Sequence, residues 1–141
     1  MILEMPPWLE IAEKELGVHE IPGPQSEKRV LEYHQATILK ATADEVPWCS
    51  SFACWVMDMC DLESPKSAMA RSWLKWGVRL TVPAFGCIVV LSRPPDPASG
   101  HVGFYVGSTT PDTIRVLAGN QGDKVSIANF PRSRILQYRW I

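Results

Sequence analysis

His101 to Gly107 reads HVGFYVG, and its alternation decides the fold. Val102, Phe104 and Val106 fall on one side, while His101, Gly103, Tyr105 and Gly107 fall on the other. That period of two belongs to a strand with one buried face. Working outward, CIVVL (87–91) is a short buried strand, and SRPPDPASG after it reads as a loop because it carries three prolines. Downstream, TIRVLA (113–118), KVSIA (124–128) and RILQYRW (134–140) continue a meander joined by short turns. The C-terminal half is therefore expected to be an antiparallel sheet of about five strands.

Upstream the period is helical. WLEIAEKEL (8–16) places apolar residues at 8, 9, 11, 12 and 16, and Gly17 is a natural stop. VHEIPGPQ reads as a loop. From Ser26, an available cap, SEKRVLEYHQATIL resumes helical spacing with Val30, Leu31, His34 and Ile38. VPWCSSFACWVM (46–57) predicts a helix from Pro47 to about Met59, with Pro47 in the first turn, where its missing N–H costs nothing. Residues 48, 52, 55, 56 and 59 form one apolar stripe and 49, 53, 56 and 60 a second, so this helix should be buried on most sides. SAMARSWLKWG (67–77) predicts a further helix ending at Gly77. Helices first and sheet second give an α+β domain, and a chain of 141 residues is expected to form one such domain over 1–141.

Composition excludes some functions. Hydrophobic residues make up 46% and charged residues 21% of the chain, the proportions of a globular protein rather than a disordered one. A formal net charge of −1 creates no overall field for nucleic acid. The halves differ, however: residues 1–63 carry 12 acids and 4 bases, residues 64–141 carry 3 acids and 10 bases. Either two layers of one domain attract each other, or a basic face of the second half meets an anionic polymer. No run approaches the roughly 18 apolar residues of a membrane span, and MILEMPPWLEIAEKEL carries no signal-peptide pattern. The expectation is a protein made in the cytoplasm, without stable membrane insertion. Cysteines 49, 54, 60 and 87 are separated by four, five and 26 residues, which fits no zinc pattern. Free thiols, no metal and no cofactor are expected.

Cys49 is either a nucleophile or a small apolar core residue. In the first turn of a helix it lies at the positive end of the helix dipole, which favours the thiolate, among N–H groups that lack intrahelical acceptors and suit an oxyanion. Of three histidines, His34 lies on an apolar helix face and reads as a core residue, and His19 lies in a loop. His101 has an apolar strand face behind it, with Gly103 leaving space beside it and Tyr105 a polar wall beyond, so it is the candidate base. An imidazole base needs a third group to orient it. Asn120 in VLAGNQGDKV, with Gln121 beside it, is either that group or simply part of a turn.

VPWCSSFACWVM, ARSWLKWG, GHVGFYVG and LAGNQGDKVSI, in this order, resemble the CHAP-type cysteine amidase/peptidase family, relatives of the NlpC-type cell-wall peptidases with a papain-like core. The resemblance runs from about Trp8 to Arg139. It implies cleavage of an amide bond in peptidoglycan, either between N-acetylmuramic acid and L-alanine or within the peptide stem and crossbridge. It also implies Cys49 as nucleophile, His101 as general base and acid, and Asn120 as the orienting residue. Two departures stand out: Gly86-Cys87 replaces an expected Gly-Asp, and Ala118 stands where many members have an acidic residue, which favours a triad ending in asparagine. Trp48, Trp73 and Tyr105 are expected to wall the substrate groove, with Glu20 and Gln121 as polar contacts. Cys54 and Cys60 read as packing. The implied setting is a compact, monomeric phage endolysin acting on the wall after release. The alternatives are a secreted antibacterial amidase effector with an immunity protein, a wall-binding module with remnant catalytic residues, and an acyltransferase, which lacks the amphipathic basic segment it needs.

Overall fold

The computed structural model describes residues 5–19, 28–37 and 48–141. Three helices, α1 (Pro7–Lys14), α2 (Lys28–His34) and α3 (Cys49–Met59), precede a short 3-10 helix (Ala70–Lys75) and six strands. The strands are β1 (Val78–Leu80), β2 (Ile88–Arg93), β3 (Asp96–Tyr105), β4 (Thr113–Ala118), β5 (Ser126–Pro131) and β6 (Ile135–Trp140). They form one sheet in the order β1-β6-β2-β3-β4-β5, with every pair antiparallel. The expected α+β architecture of helices on a C-terminal antiparallel sheet is what the chain adopts.

The alternation of HVGFYVG divides the sheet's two faces. Val102 and Phe104 join Ile88 and Val90 beneath the helices, in a core with Trp8, Leu9, Trp48, Phe52, Val56 and Trp73. On the far face, Val89, Leu91, Ile114, Val116 and Ala118 make a smaller cluster closed by Tyr105, Phe130, Ile135 and Tyr138. Helix α3 is apolar nearly all round because it packs on α1, α2 and the sheet together. Its two buried serines are satisfied: Ser50 Oγ donates to the Ser67 carbonyl (2.6 Å), and Ser51 Oγ bonds His34 Nδ1 (2.8 Å). His34 is thus the core histidine its apolar setting suggests.

Four local readings change. The segment 67–77 forms a 3-10 helix over Ala70–Lys75 rather than an α-helix. Val78–Leu80 adds a sixth strand, too short to show a period. The three-proline stretch is not a long loop: β2 runs to Arg93 and β3 starts at Asp96, with only Pro94 and Pro95 between them. His101 therefore sits mid-strand. Helix α3 starts at Cys49, with Trp48 at its cap position, while Pro47, Ser26 and Ile38 lie outside the described residues. Among the described residues no helix is long and apolar enough to cross a membrane.

Two glycines allow elements to approach as closely as they do. A Cβ on Gly119 would lie 2.7 Å from the Trp48 ring and 2.9 Å from Phe52 Cβ. One on Gly103 would lie 2.5 Å from Val116 Cγ1 and 2.7 Å from Ala118 Cβ. The space beside His101 on its own strand is thus filled by β4, not open to substrate. Gly103→Ala should destabilise the protein by about 1–3 kcal/mol through overpacking, read as a lowered midpoint in denaturant titration.

Candidate active site

The first intrahelical bond of α3 runs from Phe52 N–H to the Trp48 carbonyl (2.9 Å). The N–H groups of Cys49, Ser50 and Ser51 therefore have no helical acceptor, and among the described residues no side chain caps this end. The helix start is fixed from three sides. Trp48 is fully buried, stacked on Tyr33 at 5.8 Å and lodged against Gly119. Trp73, also fully buried, donates its indole N–H to Ser50 Oγ (2.9 Å). Between those anchors, the Cys49 sulfur meets β3 at His101 and Val102.

Burial raises the pKa of the Cys49 thiol, but the charge and the imidazole of His101, the Val102 N–H and the charge of Arg93 outweigh burial and leave it below the ordinary thiol value. The other three cysteines shift upward, all chiefly by burial: Cys54, Cys60 and Cys87, the last to about 11. All four thiols are free.

The proton positions on His101 follow from its neighbours. Gln121 Nε2 donates to the Val116 and Ser126 carbonyls (3.1 and 2.7 Å), which can only accept, so the amide oxygen must be the atom 2.9 Å from His101 Nε2. That oxygen accepts, so Nε2 carries the hydrogen. While Cys49 keeps its proton, Nδ1 offers its lone pair, buried and without a hydrogen-bond partner among the described residues, and once it takes that proton the ring carries the charge that favours the thiolate. An unprotonated nitrogen beside a thiol is what a general base requires.

This arrangement corrects the orienting residue. Gln121, not Asn120, holds the imidazole. Asn120 takes a left-handed φ of 59°, which asparagine tolerates, and that turn swings the next side chain inward beneath His101. Gln121 is consequently a mostly buried internal bond-former that also borders the larger cavity beside His101. Trp48 and Trp73 cannot wall a groove, since neither is exposed. Tyr105 packs edge-on to Tyr138 (5.9 Å) on the far face of the sheet and lines neither cavity at the site. Glu20 lies outside the described residues. His19 is exposed in a bridge to Lys124 and lines neither cavity. Cys87 is buried just before β2 and also lines neither. Ala118, where an acidic residue is common in the resembling family, packs its methyl under Gly103.

Two cavities flank the Cys49–His101 pair. One of about 210 Å³ is lined by Cys49, Ala68, Met69, Ala70, Ser99 and Gly100, and one of about 710 Å³ by His101, Asn120, Asn129, Phe130 and Arg134 among others. Arg93 lines both. Arg93, Asn129 and Arg134 were not singled out in the sequence; the signal available was the excess of bases in the second half. Among the described residues no group of three or more His, Cys, Asp or Glu side chains could hold a metal ion.

Residues 41–120 match the family model described as the CHAP domain. No curated protein matches the chain.

Two outcomes follow from this geometry. At neutral pH iodoacetamide should label Cys49 faster than the more exposed Cys60, and His101→Ala should abolish that preference, both read by peptide mass mapping. Gln121→Ala should lower kcat on any substrate by about tenfold to a hundredfold, the range typical when an imidazole loses its outer partner, while Asn120→Ala should cost less. A thermal melt of each variant separates this loss from unfolding.

Proposed function

The chain belongs to the CHAP domain family, and from that premise we propose that it is a peptidoglycan hydrolase cutting an amide bond with a Cys49 thiolate, His101 and Gln121. The single observation that carries this reading is the held imidazole: His101 Nε2 is tied to a locked amide oxygen, and the same ring acts on a thiol whose pKa is lowered.

Each step uses groups already described. Nδ1 takes the Cys49 proton, and the sulfur adds to the amide carbonyl carbon. The N–H groups of the first turn of α3 hold the oxygen as it becomes negative. When the tetrahedral adduct collapses, the C–N bond breaks and His101 returns its proton to the departing nitrogen, leaving a thioester. Water then adds to the thioester carbon, losing its proton to Nδ1. The C–S bond breaks, releasing a carboxylic acid and regenerating the thiol. Gln121 keeps the ring in the tautomer that serves both half-reactions, and it accepts from Nε2 throughout.

For the biological setting we propose a phage endolysin acting on the wall after release. The wall-binding alternative relied on tryptophans stacking on sugar rings. Burial weakens it, because Trp8, Trp48, Trp73 and Trp76 all lie in the core.

The test is digestion of purified sacculi by the wild type, Cys49→Ser and His101→Ala, with soluble products identified by mass. Fragments should appear with the wild type alone, and the new amine and carboxyl ends name the bond. Equal release by Cys49→Ser would end the thiol mechanism. Binding of sacculi without release by any form would transfer support to the wall-binding module.

A further inference from the structure

We propose that Arg93 and Arg134 form a subsite for a free carboxylate on the leaving side of the scissile amide, an assignment that rests on the hydrolase reading above. The two cavities lie on opposite sides of the reacting pair. The thiol becomes bonded to the acyl carbon, so the acyl fragment stays on the Cys49 side. The imidazole must reach the departing nitrogen, so the amine fragment lies on the His101 side. The smaller cavity is lined by Cys49 and not His101, the larger by His101 and not Cys49. The larger one therefore takes the leaving fragment.

Its polar lining is cationic. Arg134 is held rigidly: Nε and Nη2 both donate to the Ser92 carbonyl (3.0 and 2.8 Å), and the guanidinium lies 5.1 Å over the Phe130 ring. Phe130 in turn packs 5.2 Å from the His101 imidazole. A guanidinium fixed one ring away from the base has lost its side-chain entropy before substrate arrives. Arg93 stands exposed where the two cavities meet, close enough to the reacting sulfur for its charge to act there. Among the described residues neither cavity is lined by an Asp or Glu. The exposed Arg93 guanidinium and the Nη1 side of Arg134, left over from its bonds to Ser92, match a carboxylate, which accepts from both. A neutral carboxamide would match only in part.

The experiment uses a soluble muropeptide with free carboxylates and the same muropeptide after its carboxylates are converted to carboxamides. The wild type should turn over the acid form with a kcat/KM at least about tenfold higher, the loss expected when a charge-assisted bond is removed. Arg93→Gln slows both substrates, because the thiolate loses a neighbouring charge, so the readout is the ratio between them. That ratio should fall toward one in Arg93→Gln and drop in Arg134→Gln, and it should persist in Arg79→Gln, on the sheet edge. A wild-type ratio near one, or a ratio that survives in both Arg93→Gln and Arg134→Gln, overturns the subsite. Calorimetric binding to Cys49→Ala separates the two readings. Preferential binding of the acid form without turnover by the wild type sinks the hydrolase reading and keeps the subsite. Turnover by the wild type with no binding preference in Cys49→Ala does the opposite.

Discussion

The structure depends on one close approach: the first turn of α3 driven against β3 at His101 and Val102. A cysteine at a helix start becomes chemically useful only if a base sits beside it at fixed distance, and loops fix such distances poorly. Here the helix end is clamped by side chains of the core itself. Trp48 fills the space that Gly119 leaves open, Ser50 is bonded to both Ser67 and Trp73, and Phe52 meets Phe104 edge to face at 6.4 Å. Residues that flank Cys49 on both sides are thus part of the folding core, and site geometry and fold stability share the same contacts.

That burial carries a cost, and the neighbouring groups offset it. Removing a thiol from water disfavours its anion, and burial pushes the Cys54 and Cys87 thiols up. Cys49 is buried as well, yet its shift has the opposite sign because a base, a backbone donor and a guanidinium converge on it. Reactivity in this chain is a property of that convergence rather than of cysteine or of burial. The buried amide of Gln121 belongs to the same account, because all its polar atoms are paired and it fixes the ring without adding a charge to the interior.

Much of this was legible in the sequence. Strict alternation in HVGFYVG separated the two faces of the sheet, and TIRVLA matched β4 residue for residue. Cys49 and His101 could be singled out because their chemistry is tied to position, at a helix start and on a strand face, and the fold brings the two together. The orienting residue was missed by one position: Asn120 and Gln121 differ by a turn geometry that composition does not encode. The tryptophans misled for another reason. Apolar spacing marks a face as covered, but Trp48 and Trp73 are covered by the protein itself, and periodicity cannot distinguish a core from a groove. Pro94 and Pro95 suggested a long loop because proline punctuates chains, whereas here they make the tight turn between β2 and β3.

The charge imbalance between the halves also resolves into geometry. Among the described residues, ion pairs connect Arg29 to Glu15 and Glu32, within the acidic half, and the core between helices and sheet is apolar. Several bases of the second half gather at the cleft. Arg71 donates to the Ser99 carbonyl beside the smaller cavity, Arg134 is pinned beside the larger, and Arg93 lines both. A neutral whole with a cationic cleft attracts no polyanion at long range, but it can discriminate at contact, where a single guanidinium within bonding distance outweighs the screened field of distant charges.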